Sequence, residues 1–429
     1  MSKFQIILLV LFGVFIVAGV MVFSLYRGSG GAGSVAVTVW GDISSYDFNI
    51  LLNTPALAQD QTIATSYVEK SAETIEAEFT EALARGVGPD LIILTQDKLW
   101  KNKPKLTIIP YESISERDFK TTFVEEGELF LDQTGAYALP LSIDPLVLYY
   151  NRDLLSAAGQ ARPIAYWDEI YASAFNLSKK DAAGNLLSSV MALGEARNIP
   201  HAKDILSLLM LQAGTPITGF VGGDLRAQIS TNFGLSVLPG TAALDFYTQF
   251  SNPTKVYYSW NRSLLDAQTH FTSGDSAYYL GFASELRVLK NKNPTLNFGV
   301  SLVPQSRVSG KAITFGRLRA VGISRGSRNP AAALAIATKL VSKEIARSLS
   351  EILALPPARR DLLSTRPTDA VLSVFYDAAL QSKGWLDPDT VATGVIFREA
   401  IESVTSGRTR TLEAVNRANR DVDALIKQQ

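Results

Sequence analysis

The chain has 429 residues, with 41 basic and 41 acidic side chains and a formal net charge of zero, so it lacks the basic footprint of a nucleic-acid binder. Hydrophobic residues make up 47% and charged residues 19%, enough apolar content for two or three domains with cores and too much for a disordered chain. There is no cysteine, and the only histidines are His201 and His270; disulfides, thiolate nucleophiles, zinc–thiolate and iron–sulfur centres, cysteine-linked lipid and histidine-rich metal sites are all excluded.

The first element is residues 4–26, FQIILLVLFGVFIVAGVMVFSLY, a run without charge. As a helix it spans roughly 34 Å, enough to cross a bilayer. It predicts a transmembrane anchor, with residues 1–3 on the cytoplasmic side and residues 27–34, including GSGGAGS, as a flexible tether. The alternative is a cleaved export signal with small-residue cleavage near Ala32 or Ala36, but the apolar core of such signals is about 7–15 residues. Lys3 and Arg27 flank the run and orient it only weakly.

Past the tether, strand and helix signals alternate. VAVTVW (35–40) is a β-branched run of strand length. Residues 71–85 predict a helix with Ile75, Phe79, Ala82 and Leu83 on one face, stopped by Gly86. GVGPDLIIL (86–94) is a turn leading into a buried strand, and VMAL (190–193) reads as another apolar strand. Residues 241–250 predict a helix capped by Thr241, with Leu244 and Tyr247 inward. The last helix starts near Thr411, with Leu412, Val415, Val422 and Leu425 as its stripe and Arg417 and Arg420 outward. This alternation predicts an α/β fold with a mainly parallel sheet covered on both faces. In such sheets ligands sit beyond the carboxyl ends of the strands.

Several segments carry a resemblance in matching order. PLSIDPLVLYYNRDLL (140–155) resembles the hinge-crossing segment of the family 1 bacterial extracellular solute-binding proteins, the maltose-binding-protein-like group. GVGPDLIIL, YWDEI (166–170), FTSGDSAYYLGFASEL (271–286), ITFGRLRAVGISRGSRNPAAALAIATKLVS (313–342) and ALPPARRDLL (354–363) resemble successive motifs of that family. Tyr166 stands where the family usually has threonine. The resemblance implies a two-lobe periplasmic-binding-protein fold with a hinge, lobe 1 being residues 35–142 plus 312–355 and lobe 2 residues 146–308 plus 357–429. It implies a non-enzymatic binding protein that captures a small polar solute, of carbohydrate type, for the permease subunits of an ABC importer. A sensory module serving a separate receptor or kinase is the alternative; a membrane-anchored hydrolase has no motif in its favour.

A carbohydrate site needs carboxylate acceptors, cationic donors and aromatic faces. Trp40 and Asp42 follow the first strand, where the family often places contacts. Asp97 and Lys98 match an acidic–basic pair that touches sugar hydroxyls in the maltose-binding member. Asp144 aligns with an acidic hinge residue, and an unpaired carboxylate inside that apolar run would be costly. Glu195, Arg197, Trp260, Ser284 and Glu285 are the second-lobe candidates, and Arg317 lies on the chain returning to the first lobe. Each has a plain structural reading too: Trp40 as core, Asp97–Lys98 as a solvated loop, Asp144 as a hinge hydrogen bond. Where the maltose-binding member carries stacking aromatics, this chain has Leu94, Ser284 and Gly394. A mono- or disaccharide therefore fits better than a long glucan, with Trp40, Trp260 and Phe282 left to supply stacking faces. No cofactor or metal is expected, and no phosphate-binding, nucleophile-elbow or zinc-protease motif is present in the sequence.

Overall fold

A computed structural model of the chain describes residues 34–59, 62–307 and 310–428. The expected anchor and all but the last residue of the tether lie outside the described residues. Among those described, no helix is long and apolar enough to cross a membrane.

The elements that matter here are β1 (Val35–Gly41), β2 (Ile63–Glu69), α1 (Ile75–Ala84), β3 (Leu91–Thr95), β4 (Ala138–Asn151), β5 (Leu186–Met191), α2 (Ala202–Ala213), β6 (Thr218–Val221), β7 (Asp224–Ala227), α3 (Pro239–Thr248), β8 (Ser276–Phe282), β9 (Phe298–Ser301), β10 (Thr314–Ser324), α4 (Thr390–Thr405) and α5 (Thr411–Lys427). A mixed sheet runs β2-β1-β3-β10-β4-β8-β5, with short strands at its margins. Among these strands the parallel pairs are β1–β2, β1–β3 and β8–β5; β10 runs antiparallel to β3 and β4, and β8 and β9 run antiparallel to β4. The expected mainly parallel sheet is thus corrected to a mixed one. The reason is topological: β4 and β10 carry the chain between two lobes, and such crossing strands come without the βαβ connections that enforce parallel order.

β4 divides its partners. Ala138–Pro145 pairs with β10 of the first lobe, and Leu146–Tyr150 pairs with β8 of the second. Pro140 and Pro145 remove two amide donors from this strand, and the β4–β10 register shifts between Arg319 and Ala320. Proline and register irregularity in a central strand mark a place where the ladder is interrupted. A third passage lies alongside, Ile143 N–H donating to the Pro356 carbonyl at 2.9 Å.

Local signals explain the elements. α1 buries Ile75, Phe79 and Ala82 and is followed by Gly86 at φ 68°, a left-handed conformation that glycine adopts without penalty. β3 reads LIILT with its first four residues buried, as a strand covered on both faces requires. α3 begins earlier than expected, with Pro239 in its first turn rather than Thr241 as its cap. α5 buries Ala414, Val415, Ala418, Val422 and Ile426, whereas Leu412 is exposed and Leu425 only half-buried. Val415 and Val422 hold the expected stripe, while its ends shift to Ala414 and Ile426.

Candidate functional site

β10 supplies the centre of the site. In a strand alternate side chains share a face, so Arg317 and Arg319 point one way while Leu318 is buried on the other. Their register partners on β4 are Asp144 and Ser142. Gln96, fully buried after β3, holds β10 in place. Its amide donates to the Gly316 carbonyl at 3.0 Å and its oxygen accepts from Leu318 N–H at 2.7 Å.

From these two arginines an ion-pair network runs into both lobes. Arg319 grips Asp42 with two bonds, Nε to Oδ1 at 3.1 Å and Nη2 to Oδ2 at 3.0 Å. Burial alone would raise the Asp42 pKa, but Arg319, with Lys98 nearby, draws it below the usual carboxylate range. On the other side Arg317 lies 4.0 Å over the Phe282 ring and pairs with Asp204 at 2.8 Å. Asp204 sits 3.6 Å from His201 Nδ1, while His201 Nε2 meets Glu285 at 2.7 Å. Burial would depress His201, yet Asp204 and Glu285 on either side push it up to about 9, and it is a cation at neutral pH. Glu285 also accepts from Tyr279 at 2.6 Å and Gln268 at 2.7 Å. Charge-assisted pairs of this kind are short and directional.

His201, Gln268, Tyr279, Phe282, Ser284, Glu285 and Arg317 line a cavity of about 340 Å³, inside the range of roughly 300–1,000 Å³ typical of small-molecule sites. Nearby, Asp97 Oδ1 is buried without a hydrogen-bond partner, and its charge is felt by both Arg317 and Asp387. Asp387 is itself fully buried and held by Lys203 and Thr393. Beneath this layer Glu126 is buried against Ser382, whose hydroxyl donates to Oε2, while Oε1 has no partner. A side chain at Gly384 would place its Cβ 2.5 Å from Glu126 Oε1, so glycine there lets the backbone close over the acid. Among the described residues no group of acidic or histidine side chains could hold a metal ion.

The structure thus brings Asp42, Asp97, Asp144, Ser284, Glu285 and Arg317 together. Asp144 is only 3% exposed and accepts from Ser284 N–H at 2.9 Å; its pKa is raised, mainly by burial. Lys98 lies at the edge, its ammonium bonded to the Ala72 carbonyl. Trp40 is half-buried with Lys70 Nζ 4.2 Å over its ring, so one face is already covered. Three candidates are corrected. Trp260 is 0% exposed, its indole donating to Asn198 at 3.0 Å, and a ring sealed in the lobe core has no face for a ligand. Glu195 is buried against Arg262 at 3.0 Å, and Arg197 points outward to Glu402 at 2.8 Å; both serve a separate network. Phe282, considered as a stacking face, is covered by Arg317.

The residues missed are Arg319, His201 and Asp204. Their signals were present: Arg319 repeats Arg317 at the strand period, and His201 and Asp204 stand three apart at a helix start.

This architecture, two α/β lobes bridged by crossing strands with charged groups gathered at the crossing, is that of a solute-binding protein. The sequence matches the bacterial extracellular solute-binding protein family over residues 56–371, and the chain belongs to that family, which places its folded domain outside the cell. No curated protein matches the chain. Among solved structures it is similar to a cyclo/maltodextrin-binding protein complexed with maltotetraose, with a TM-score of 0.74 and 18% identity over 94% of this chain and 100% of that one. It is also similar to an ABC transporter solute-binding protein from Thermotoga lettingae bound with α-D-tagatose (TM-score 0.70, 18% identity, 92% and 100% covered). A third is the cyclic α-maltosyl-1,6-maltose binding protein from Arthrobacter globiformis (TM-score 0.75, 16% identity, 92% and 100% covered). At these identities the likeness is one of fold.

Proposed function

We propose that this chain is the substrate-binding component of an ABC importer and captures a small polar solute, a mono- or disaccharide, by closing its lobes about the crossing strands. The observation that carries the reading is the convergence of charged side chains from both lobes at the crossing, beside a cavity of monosaccharide scale. The sugars bound by the structural neighbours support the ligand class. In this reading Asp97, with its unpartnered Oδ1, accepts from solute hydroxyls, and Arg317 and the Ser284 hydroxyl face them, while Glu285, its two oxygens already accepting from Phe282 N–H, His201, Tyr279 and Gln268, fixes the cavity wall. Asp42, Lys98 and Asp144 hold those groups in place, with the free face of Trp40 at the margin. The lobe boundaries are proposed at residues 142–146, 308–312 and 355–357, and residues 4–26 are proposed as the membrane anchor.

A short solute is favoured because the aromatic platform for a long chain is missing. Leu94 is buried in β3, Ser284 is tied to Asp144 through its backbone, and Gly394 leaves open space on α4. Aromatic faces carry much of the binding energy where extended sugars lie flat, because they bury large apolar areas. The test is a thermal-shift screen of the full chain against sugars, polyols, amino acids and oligopeptides. A ligand at 100 times its Kd stabilises the fold by about 2.7 kcal/mol. A shift from a peptide and none from any saccharide overturns the ligand class, as does calorimetry in which maltotriose or longer chains bind far more tightly than every mono- and disaccharide.

A further inference from the structure

A second concave site lies on the first lobe, outside the charged cavity. The turn that carries Asp97 continues into the short helix Leu99–Asn102, so one segment serves the cleft with Asp97 and a different face with Trp100 and Lys101. Trp100, Lys101, Lys103, Pro104, Tyr137 and Arg325 line a pocket of about 530 Å³, none of them shared with the cavity described above. Three of the six are cationic, two are aromatic and none is acidic. Lys103 Nζ stands between the two rings, 5.3 Å from the centre of Trp100 and 4.7 Å from that of Tyr137. Asp132 neutralises Lys103 at 3.0 Å, and Asp389 neutralises Lys101 at 2.6 Å. Arg325 is exposed and has no carboxylate partner among the described residues. The pocket therefore carries one uncompensated guanidinium beside half-exposed aromatic rings.

We propose that this pocket is a binding site for an anionic saccharide, one whose ring packs on Trp100 and whose carboxylate or phosphate meets Arg325. The two parts make different demands. A guanidinium offers a planar fork of donors that matches an oxyanion in bidentate geometry. An aromatic face matches the C–H face of a pyranose and does little for a bare inorganic ion. A neutral sugar would use the rings and leave Arg325 solvated; phosphate alone would use Arg325 and leave the rings wet. Only a ligand with both parts uses the whole pocket. The site differs from the interlobe cavity in lining residues and ligand charge, although Trp100 and Lys101 also touch Phe220 and Asp389 of the second lobe.

The experiment is calorimetric titration of the full chain with glucuronate, glucose and inorganic phosphate, repeated on Arg325→Gln, Trp100→Ala and Arg317→Gln. The expected result is glucuronate binding at least tenfold tighter than either partial ligand. It should weaken by roughly 10–100-fold in Arg325→Gln, as loss of a charge-assisted contact predicts, and several-fold in Trp100→Ala. Arg317→Gln should leave it unchanged. Glucuronate binding that is absent, or insensitive to both pocket substitutions, overturns the proposal. Phosphate binding as tightly as glucuronate overturns the saccharide class. Binding lost in Arg317→Gln and kept in Arg325→Gln assigns glucuronate to the interlobe cavity and also overturns it, whereas failure of the interlobe reading alone would leave the pocket result intact.

Discussion

Replacing Glu126 with glutamine should stabilise the protein, and increasingly so as pH rises. The acid is 3% exposed, with one oxygen accepting from Ser382 and the other unpartnered. Burial, opposed by Ser382 and Lys383 and reinforced by the charge of Asp97, pushes its pKa from 4.5 up to about 8. In the unfolded chain it ionises near 4.5, so between pH 4.5 and 8 the folded state holds a proton that the unfolded state has released. Stability must then fall as pH rises through that window. At about 1.4 kcal/mol per unit, the full difference amounts to something on the order of 3–5 kcal/mol. Glutamine keeps an oxygen for Ser382 and cannot ionise, so Glu126→Gln should remove this component. Urea unfolding of wild type and variant at pH 5 and pH 8.5 reads it directly: similar stability at the lower pH and a clear gain for the variant at the higher. A variant whose deficit or gain is the same at both values would show that Glu126 is charged in the folded state and would refute the reasoning.

His201 should add to the same slope, since its folded-state pKa of about 9 makes a contribution that is complete below pH 6.5 and lost as pH rises through 9; His201→Gln should flatten the unfolding free energy across that interval, as followed by urea melts. Arg319→Met should cost about 3–5 kcal/mol, because it strands Asp42 and Asp144 without their neighbouring cation; a loss below about 1 kcal/mol in denaturant unfolding would contradict the network. Phe220 on β6 is 58% exposed yet meets Trp100 of the first lobe at 6.3 Å between ring centres. Because aromatic pairs contribute about 0.5–1.5 kcal/mol, Phe220→Ala should weaken solute binding two- to tenfold with an unchanged melting temperature, and a lowered melting temperature at full affinity would place the contact in folding instead.

Much of the fold was legible because its signals are local. The β-branched run at 35–40, the apolar 91–94 and the 75–79–82 stripe each specify an element through their own periodicity. Strand direction was not legible, because it depends on which distant strand β4 and β10 meet. The site divided along the same line. Asp144 and Arg317 stood inside segments that declare themselves, and they are register partners. Trp260 misled because a tryptophan near polar residues reads equally as a platform or as core, and only its hydrogen bond to Asn198 separates the two. Glu195 and Arg197 misled because their partners, Arg262 and Glu402, lie far along the chain. Glu126 gave no signal at all: EEGELF looks like a solvated acidic turn, and its burial arises from Ser382 and Gly384, more than 250 positions later.

The charge arrangement also constrains what the proposed cleft can hold. Arg319 is matched by Asp42, Arg317 by Asp204, and His201 by Asp204 and Glu285. An anionic solute would have to compete with carboxylates already in place, and a cationic one with guanidinium groups at 2.8–3.0 Å. Either exchange strands a partly buried partner, which is the expensive outcome. A neutral polyhydroxylated solute avoids it. Its hydroxyls can donate to the unpartnered Oδ1 of Asp97 and accept from Arg317 while every ion pair persists. The same pairs bridge β10 to both lobes, so a solute that reinforces them from above tightens the crossing itself. If the lobes close as proposed, capture and closure would be one event, and the charges that select against ions would be the ones that bridge the lobes.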